Sequence, residues 1–458
     1  MSGQDAISRL PDEVLACILS SLTTKQAAST SVLSKRWRNV FAFVNNLDLD
    51  DRDSVRTLAR HRRENSKRFK AFVSSFLDTQ GSSKFIKKFT LKIHVNVQNR
   101  YGLDPACVES WICNVLDRGV VDLDLSIITF QGKSPPVLTL DVMRKTLVKL
   151  SLNLGRCFIV KLPQDISLPL LRTLCLNSVG FDRDCDVVGT LLSRCPFLEE
   201  IYFEESNSKK PSLPVQIQWS SSSLKRLSIR FNDFVKISFD FPNLVFFELS
   251  YESGSEFLNV NLDSLIEARL NHRCPTRGYD YSHVNLIHLI NGISNVRTLH
   301  LCSLFLDEMI FTFYFTFNEI LPMFHNLVCL SIESKKSRGW KILPHIIRNS
   351  PNLETLIFKG LKHRCDVCSG DVCDCYLSSR RNRPSCLTAS RVKVLEILDY
   401  RVYCRSDESQ LKHFLAKLTC LEVVKLSASN LDMPPTGWHK SLRTIPRASR
   451  NCKFQVIP

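Results

Sequence analysis

The chain has 458 residues, 44% hydrophobic and 23% charged, with 61 lysines and arginines against 45 aspartates and glutamates, a net charge of +16. That length suits two or three domains, or a repeat array with a small module attached, and the composition is globular rather than disordered. No run of eighteen apolar residues occurs and the N-terminus lacks a basic start before an apolar core, so neither a membrane span nor secretion is expected.

In chain order, the first strong pattern lies at residues 10–41. Pro11 suits the first turn of a helix, where no amide donor is needed, and Asp12 and Glu13 suit its positive end. Leu15, Ile18, Leu19 and Leu22 fall at i, i+3, i+4 and i+7, which predicts one apolar stripe. Ser34 can cap a later helix bearing Trp37, Val40 and Phe41. So short a segment cannot bury that much apolar surface alone, and part of the stripe is expected to meet a partner.

Three blocks carry a resemblance: Leu10-Pro11-Asp12-Glu13-Val14-Leu15, Ile18-Leu19-Ser20-Ser21-Leu22, and Ser31-Val32-Leu33-Ser34-Lys35-Arg36-Trp37-Arg38. They resemble the F-box, a three-helix module that docks on the Skp-type adaptor of cullin-RING ubiquitin ligases; the last block resembles its large plant group. The resemblance implies that Leu10, Pro11, Leu15, Ile18, Leu19, Leu22, Val32, Leu33 and Trp37 form or support the adaptor-binding face, with Trp37 the first candidate for internal packing instead. Thr23 stands where that group often has proline, which should loosen the turn and leave the face intact.

Arg56, Arg60, Arg62, Arg63, Lys67, Arg68 and Lys70 come next, and Arg380, Arg381 and Arg383 form a second basic cluster. Phe69, Phe72, Val73, Phe76 and Leu77 trace an apolar helical stripe among the first set. That pattern predicts an amphipathic helix with a solvated basic face. An acidic protein partner or a nuclear-import signal is the alternative, and no nucleic-acid-binding motif is present.

From residue 86 a phrase recurs: apolar, two residues, apolar, one residue, apolar. Clear copies are Leu147-Leu150-Leu152, Leu171-Leu174-Leu176, Leu198-Ile201-Phe203, Leu224-Leu227-Ile229, Leu244-Phe247-Leu249, Val296-Leu299-Leu301, Leu327-Leu330-Ile332, Leu353-Leu356-Phe358, Val392-Leu395-Ile397 and Leu421-Val424-Leu426. Weaker copies start at Ile86, Val120 and Leu265. The mean spacing is about 28 residues, within the leucine-rich-repeat range. The alternation in each phrase predicts a half-buried strand. Helical stretches such as Val187–Leu192 and Ile346–Ile347 precede prolines that let the chain enter the next strand extended. One such unit cannot bury its own apolar face, so the units must stack into a curved array with parallel strands along its concave side. The array resembles the leucine-rich repeat. The family's asparagine, three residues past the third apolar position, appears only as Asn232; Gly155, Val179, Ser206, Glu252 and Lys335 stand elsewhere, and the coil is expected to be irregular. Met309–Phe317 is too short to span a bilayer and is expected to be a buried element.

Most of the eighteen cysteines are scattered singly at apolar positions, such as Cys17, Cys175, Cys302, Cys329 and Cys420, which suits reduced core thiols in the cytosol or nucleus. One cluster stands apart. His363 precedes Cys365, Cys368, Cys373 and Cys375, enough donors for tetrahedral zinc. Their spacing is less specific than paired C-x2-C knuckles, and the segment reads as a reduced, solvent-facing insert without metal; a labile disulfide is a further alternative.

Gly370-Asp371-Val372-Cys373-Asp374-Cys375, Val392-Lys393-Val394-Leu395-Glu396-Ile397, and His413-Phe414-Leu415 with Leu418-Thr419-Cys420-Leu421-Glu422 resemble the FBD domain of plant F-box/FBD/leucine-rich-repeat proteins. Their own pattern is two strand phrases around an amphipathic helix (Leu411, Phe414, Leu415, Leu418) that can close the array. The expected fold is α/β: an N-terminal three-helix F-box (1–52), a connecting amphipathic helix (53–84), an irregular leucine-rich-repeat solenoid (85–381), and an FBD segment (382–458) that continues and caps it. No nucleotide loop, G-x-S-x-G elbow or H-E-x-x-H helix is present, and neither cofactor nor catalysis is expected. The resemblance implies a substrate-recruiting subunit of a Skp–cullin–F-box ubiquitin ligase, in the nucleus or cytoplasm. The F-box would dock on the Skp-type adaptor and through it reach cullin and the RING-box subunit, while the repeats hold a client protein. A non-degradative scaffold, or a sensor whose concave basic face takes an anionic small molecule, are the alternatives.

Overall fold

The computed structural model describes residues 7–41, 43–52, 59–79, 85–94, 105–128, 137–139, 146–155, 158–163, 166–181, 186–205, 214–232, 234–251, 255–273, 285–316, 320–364, 371–374, 385–402, 404–428 and 445–457. The chain divides into two compact units, Met1–Pro214 and Val215–Pro458.

The first unit starts with three short helices, α1 (Asp12–Ser20), α2 (Thr24–Ser29) and α3 (Lys35–Phe41). A strand, β1 (Asn46–Asp50), follows at once, and it pairs in parallel with β2 (Lys88–His94). The strand row therefore begins at residue 46, not 85, and the expected boundary of the helical module at 52 falls inside the row. Its phrase, Val44-x-x-Leu47-x-Leu49, is a copy that the reading from residue 86 onward missed. Between β1 and β2 lies α4 (Ala59–Thr79), the predicted amphipathic helix. It buries Val73 and Leu77 while Lys67, Arg68 and Phe72 stay exposed. The helix α5 (Pro105–Asp117) donates a bond from Trp111 Nε1 to Ser74 Oγ of α4 at 2.9 Å. The row continues through β3 (Asp122–Ile128), β5 (Lys149–Asn153), β7 (Thr173–Phe181) and β8 (Glu200–Glu205), while β4 (Val137–Thr139) and β6 (Ile159–Lys161) pair on another side. The phrases stack in register: Leu47, Phe89, Leu123, Leu150, Leu174 and Ile201 lie opposite one another, as do Leu49, Leu91, Leu125, Leu152, Leu176 and Phe203. All twelve are buried, because a parallel strand row shows one face to its core and a one-residue slip would expose every leucine.

The second unit repeats the pattern through β10 (Arg226–Phe231), β12 (Phe246–Tyr251), β14 (Glu267–His272), β15 (Thr298–Leu301), β16 (Cys329–Glu333), β17 (Thr355–Lys359), β18 (Val394–Tyr400), β19 (Val423–Ala428) and β20 (Lys453–Ile457), each parallel to the next. What fills the space between phrases follows their spacing. The phrases at 224, 244 and 265 are only 20 and 21 residues apart. The return segments there are strands: β11 (Lys236–Asp240) pairs with β9 (Gln216–Ser220) on one side and β13 (Glu256–Asn261) on the other in a second, three-stranded parallel sheet. Trp219, Phe231, Phe239, Phe241, Phe247 and Phe257 are all buried and fill the space facing this sheet. Large rings suit the roughly 10 Å gap between packed sheets.

Longer spacings carry helices: α6 (Val187–Arg194) in the first unit, then α7 (Ile287–Gly292), α8 (Ser303–Ile310), α9 (Leu343–Arg348) and α10 (Arg405–Lys417) in the second. Asp186 caps α6 by accepting from Gly189 N at 2.9 Å. The helix α7 approaches β13 so closely that a Cβ on Gly292 would meet Val260 Cγ1 at 2.5 Å. The apolar run at Met309 forms the end of α8 and a π-helical turn over Phe311–Thr316, with Met309, Ile310 and Phe313 buried as expected; Phe317 lies outside the described residues.

The missing asparagine has a substitute on the other side of the strand. Asn243 Nδ2 donates to Ser222 O at 2.8 Å, and Asn352 Nδ2 donates to His325 O at 2.8 Å. Each asparagine immediately precedes a phrase and reaches one repeat back, so a turn carbonyl is satisfied across the repeat boundary. The scattered cysteines divide. Cys302 is buried, Cys175 and Cys329 are partly buried on the strands, and Cys17 and Cys420 are exposed, contrary to the expectation of core thiols at all five positions.

Candidate functional site

The helical module has a small core of Leu15, Leu19, Ala27, Val40 and Val44, with Leu10, Ala16, Leu22, Trp37 and Phe41 packed against it. Local chemistry sets these helices. Ser34 Oγ accepts from Trp37 N at 3.3 Å, as the sequence predicts. Thr23, expected to loosen its turn, does the reverse. Its Oγ1 accepts from Gln26 N at 3.3 Å while Gln26 Oε1 accepts from Thr23 N at 3.2 Å, a reciprocal capping box that starts α2. Arg36 ties α3 to the start of α1, through Asp12 Oδ1 at 2.8 Å and through the carbonyl of Leu10. Asn46 Nδ2 donates to Ser20 O at 3.1 Å and Asp48 N donates to Thr24 Oγ1 at 2.6 Å, so the end of α1 and the start of α2 are bonded to β1.

The nine residues expected at the docking face fall into two groups. Leu15 and Leu19 are 1% exposed, and Leu10, Leu22 and Trp37 are partly covered against the same core. Pro11 and Ile18 are exposed on α1 and its start, and Val32 and Leu33 are 84% and 66% exposed around the turn before α3. Sequence reading missed Val14, 42% exposed. Pro11, Val14 and Ile18 stand three and four residues apart, so they share one side of α1, turned away from Leu15 and Leu19. That second spacing was available in the sequence.

A different surface is offered by the open face of the strand row in the second unit. Phe246 of β12 is half-buried with the Arg226 guanidinium 4.2 Å and the Arg269 guanidinium 5.5 Å from its ring centroid. Arg269 pairs with Glu267 at 2.7 Å, and His300 lies 3.5 Å from Glu267. Elsewhere on strand faces Lys425 faces Glu396 at 3.8 Å in this unit, and Lys88 faces Asp122 at 3.5 Å in the first. The strand faces are thus mixed in charge, not uniformly basic.

Two clusters of metal-capable donors occur among the described residues: Asp50, Asp51 and His94, and His363, Cys373 and Asp374. In the first, Asp51 is 1% exposed and accepts from His94 N at 2.8 Å; burial raises its carboxyl above the usual range. In the second, Cys373 departs from the expectation of a solvent-facing, reduced insert. Cys373 is 1% exposed and disulfide-bonded. Its neighbours explain the burial: Gln410 of α10 accepts from Asp374 N at 3.0 Å and donates to Val372 O at 2.8 Å, and Asp371 accepts from Cys386 N at 3.3 Å. Burial holds the His363 imidazole below its ordinary pKa and pushes the Cys386 thiol well up. Cys365, Cys368, Cys375 and the second basic cluster (Arg380, Arg381, Arg383) lie outside the described residues.

A small helical module with a surplus apolar surface, joined to parallel strand repeats, defines a repeat protein with an F-box-type head. The F-box domain family matches residues 7–48, and the repeat family described as "FBD-associated F-box protein At5g56370, LRR repeats" matches residues 108–253. Two Arabidopsis thaliana proteins are similar over the whole length: F-box/LRR-repeat protein At2g42730, 51% identical with 100% of this chain and 98% of that one covered, and F-box/LRR-repeat protein At2g42720, 48% identical with 99% and 100% covered. The putative F-box/FBD/LRR-repeat protein At3g59240 of the same plant is 37% identical over 92% of this chain. The chain belongs to the F-box/LRR-repeat family.

Proposed function

We propose that this protein is the substrate-recruiting, non-catalytic subunit of a Skp–cullin–F-box ubiquitin ligase. The observation that carries the reading is the apolar surface that the helical module leaves uncovered at Pro11, Val14, Ile18, Val32 and Leu33 around an already complete core. The Skp-type adaptor covers it, and the adaptor brings cullin and the RING-box subunit. The strand face holds the client, with Phe246 between Arg226 and Arg269 as an anchor of the aromatic and arginine type that dominates protein interfaces. The work is proximity: client lysines are kept at high effective concentration near a ubiquitin thioester carried by other subunits. The mixed charge of the strand face favours a protein client over an anionic small molecule.

The double substitution Val32→Asp with Leu33→Asp tests the reading. Co-purification with the adaptor should fall by about a hundredfold or more, since each charge must be desolvated in the interface. The melting temperature should stay at the wild-type value, because both side chains already face solvent. Wild-type adaptor binding by the double variant overturns the assignment.

A further inference from the structure

We propose that Asp50, Asp51 and His94 form a Zn2+ site at the end of the first two strands of the row. The pairing of β1 with β2 brings them together. Asp50 lies opposite Lys92 in the parallel register, and Asp51 N donates to Lys92 O at 3.1 Å, which carries the ladder one residue past β1. Asp51 Oδ1 accepts from His94 N at 2.8 Å and stands 2.9 Å from His94 Nδ1. Asp50 Oδ1 lies 3.9 Å from the same ring nitrogen. One donor atom from each of the three residues is thus within 4.8 Å of the other two.

The bonding inside this cluster is lopsided. Asp51 is 1% exposed, and both of its contacts with His94 fall on Oδ1. Its Oδ2 is buried and has no hydrogen-bond partner among the described residues. A bare buried carboxylate oxygen carries its full desolvation penalty, and a second carboxylate alongside adds repulsion. Arg52 answers only Asp50, through Nε to Oδ2 at 2.7 Å and N to Oδ1 at 2.8 Å. The Lys70 ammonium of α4 feels the Asp51 charge without an ion pair to it among the described residues, and burial lowers its pKa. A compact cation held by both carboxylates and the imidazole would cover Oδ2 and cancel the two charges.

The donor set selects the ion. Imidazole with carboxylates suits Zn2+, whereas Ca2+ and Mg2+ prefer oxygen alone. Bonds of about 2.0–2.1 Å at tetrahedral angles set ligand atoms roughly 3.4 Å apart. The observed 2.9 and 3.9 Å straddle that spacing, so side-chain shifts of about half an ångström seat the ion. Coordination through Nδ1 leaves the ring proton on Nε2. The His94 and Asp50 side chains are 29% and 20% exposed, which gives the ion a way in and water the remaining position. Since Asn46 and Asp48 bond the same strand to the helical head, zinc here would staple β2 to the strand that carries the head.

The test uses the reduced full-length chain, exposed to Zn2+ and freed of loose metal by gel filtration. Asp51→Asn keeps an acceptor for His94 N, and His94→Gln changes a partly exposed side chain, so the second carries the test should the first fail to fold. Each variant should retain about one equivalent of zinc less than the wild type by mass spectrometry of the metal, the cysteines being the same in all three. Co2+ should give a wild-type minus variant difference spectrum with visible ligand-field bands and no thiolate charge-transfer band. Millimolar Mg2+ should leave the zinc in place. Zinc retention equal in the wild type and His94→Gln, a thiolate band in the difference spectrum, or loss of the zinc to Mg2+ overturns the site.

Discussion

The helices α1 and α10 carry the same apolar spacing and put it to different use. Leu15, Ile18, Leu19 and Leu22 match Leu411, Phe414, Leu415 and Leu418 position for position. In α10, Leu411, Phe414, Leu415 and Leu418 are all 1% exposed or less, covered by the repeats to which α10 belongs. In α1, Leu15 and Leu19 are as deeply buried, but Ile18 is 43% exposed beside Val14 at 42%. Periodicity tells that a helix has an apolar side; it does not tell whether this chain has anything to lay against all of it. The helix inside the array finds a whole sheet. The helix at its head finds two short neighbours and leaves a second strip exposed.

That contrast can be broken in both directions. Phe414→Ala removes a ring packed against Phe358 (5.0 Å between centroids) and should destabilise the chain by about 3–5 kcal/mol. Ile18→Ala should leave thermal stability nearly unchanged and weaken adaptor capture instead. Equal losses of melting temperature in the two would erase the distinction between a covered and an uncovered strip. Thr23→Ala removes the capping box of α2 and should cost about 1 kcal/mol of module stability, measured by chemical denaturation. No loss would remove the capping box from the account of the module's stability.

The smallest expected effect is on pH. Burial, with Arg348 nearby, lowers the pKa of His345 in the folded chain, and its Nδ1 lies 2.7 Å from Tyr314 Oη. The unfolded chain then binds more protons once pH falls below about 6.5, so stability is present above that value and declines as pH drops towards the folded pKa. Thermal melts at pH 7.5 and 5.5 should show the decline in the wild type and less of it in His345→Asn. An identical slope in both would remove His345 from the account.

Much of this architecture was legible. The phrases beginning at Leu147, Leu171 and Leu198 became strands in the expected register, because their alternation allows only one buried face. The two copies that escaped are instructive. β1 lies inside the segment whose helical motifs held the attention, and β20 has a polar residue, Asn451, where the phrase should begin. The sheet β9-β11-β13 was also unread, although spacings of 20 and 21 residues leave little room for a helix. The bonds from Asn243 and Asn352 were missed because asparagine was sought after the strand, not before it. At the candidate site, Val14 escaped because only the stripe Leu15-Ile18-Leu19-Leu22 was followed, and the spacing Pro11-Val14-Ile18 beside it was not. The burial of Cys373 depends on Gln410 and His413, some forty residues along the chain, and no local pattern reports such a contact.

The bonds from Asn46 to Ser20 and from Asp48 to Thr24 tie the first two helices of the head directly to the first strand of the row. An adaptor gripping the head therefore grips a handle cast in one piece with the strand beside it, and any twist imposed at one end arrives undamped at the other. Inserting a few glycines after Val44 would turn that handle into a tether. Capture of the adaptor would survive, while the aim of whatever the first strands carry would be lost.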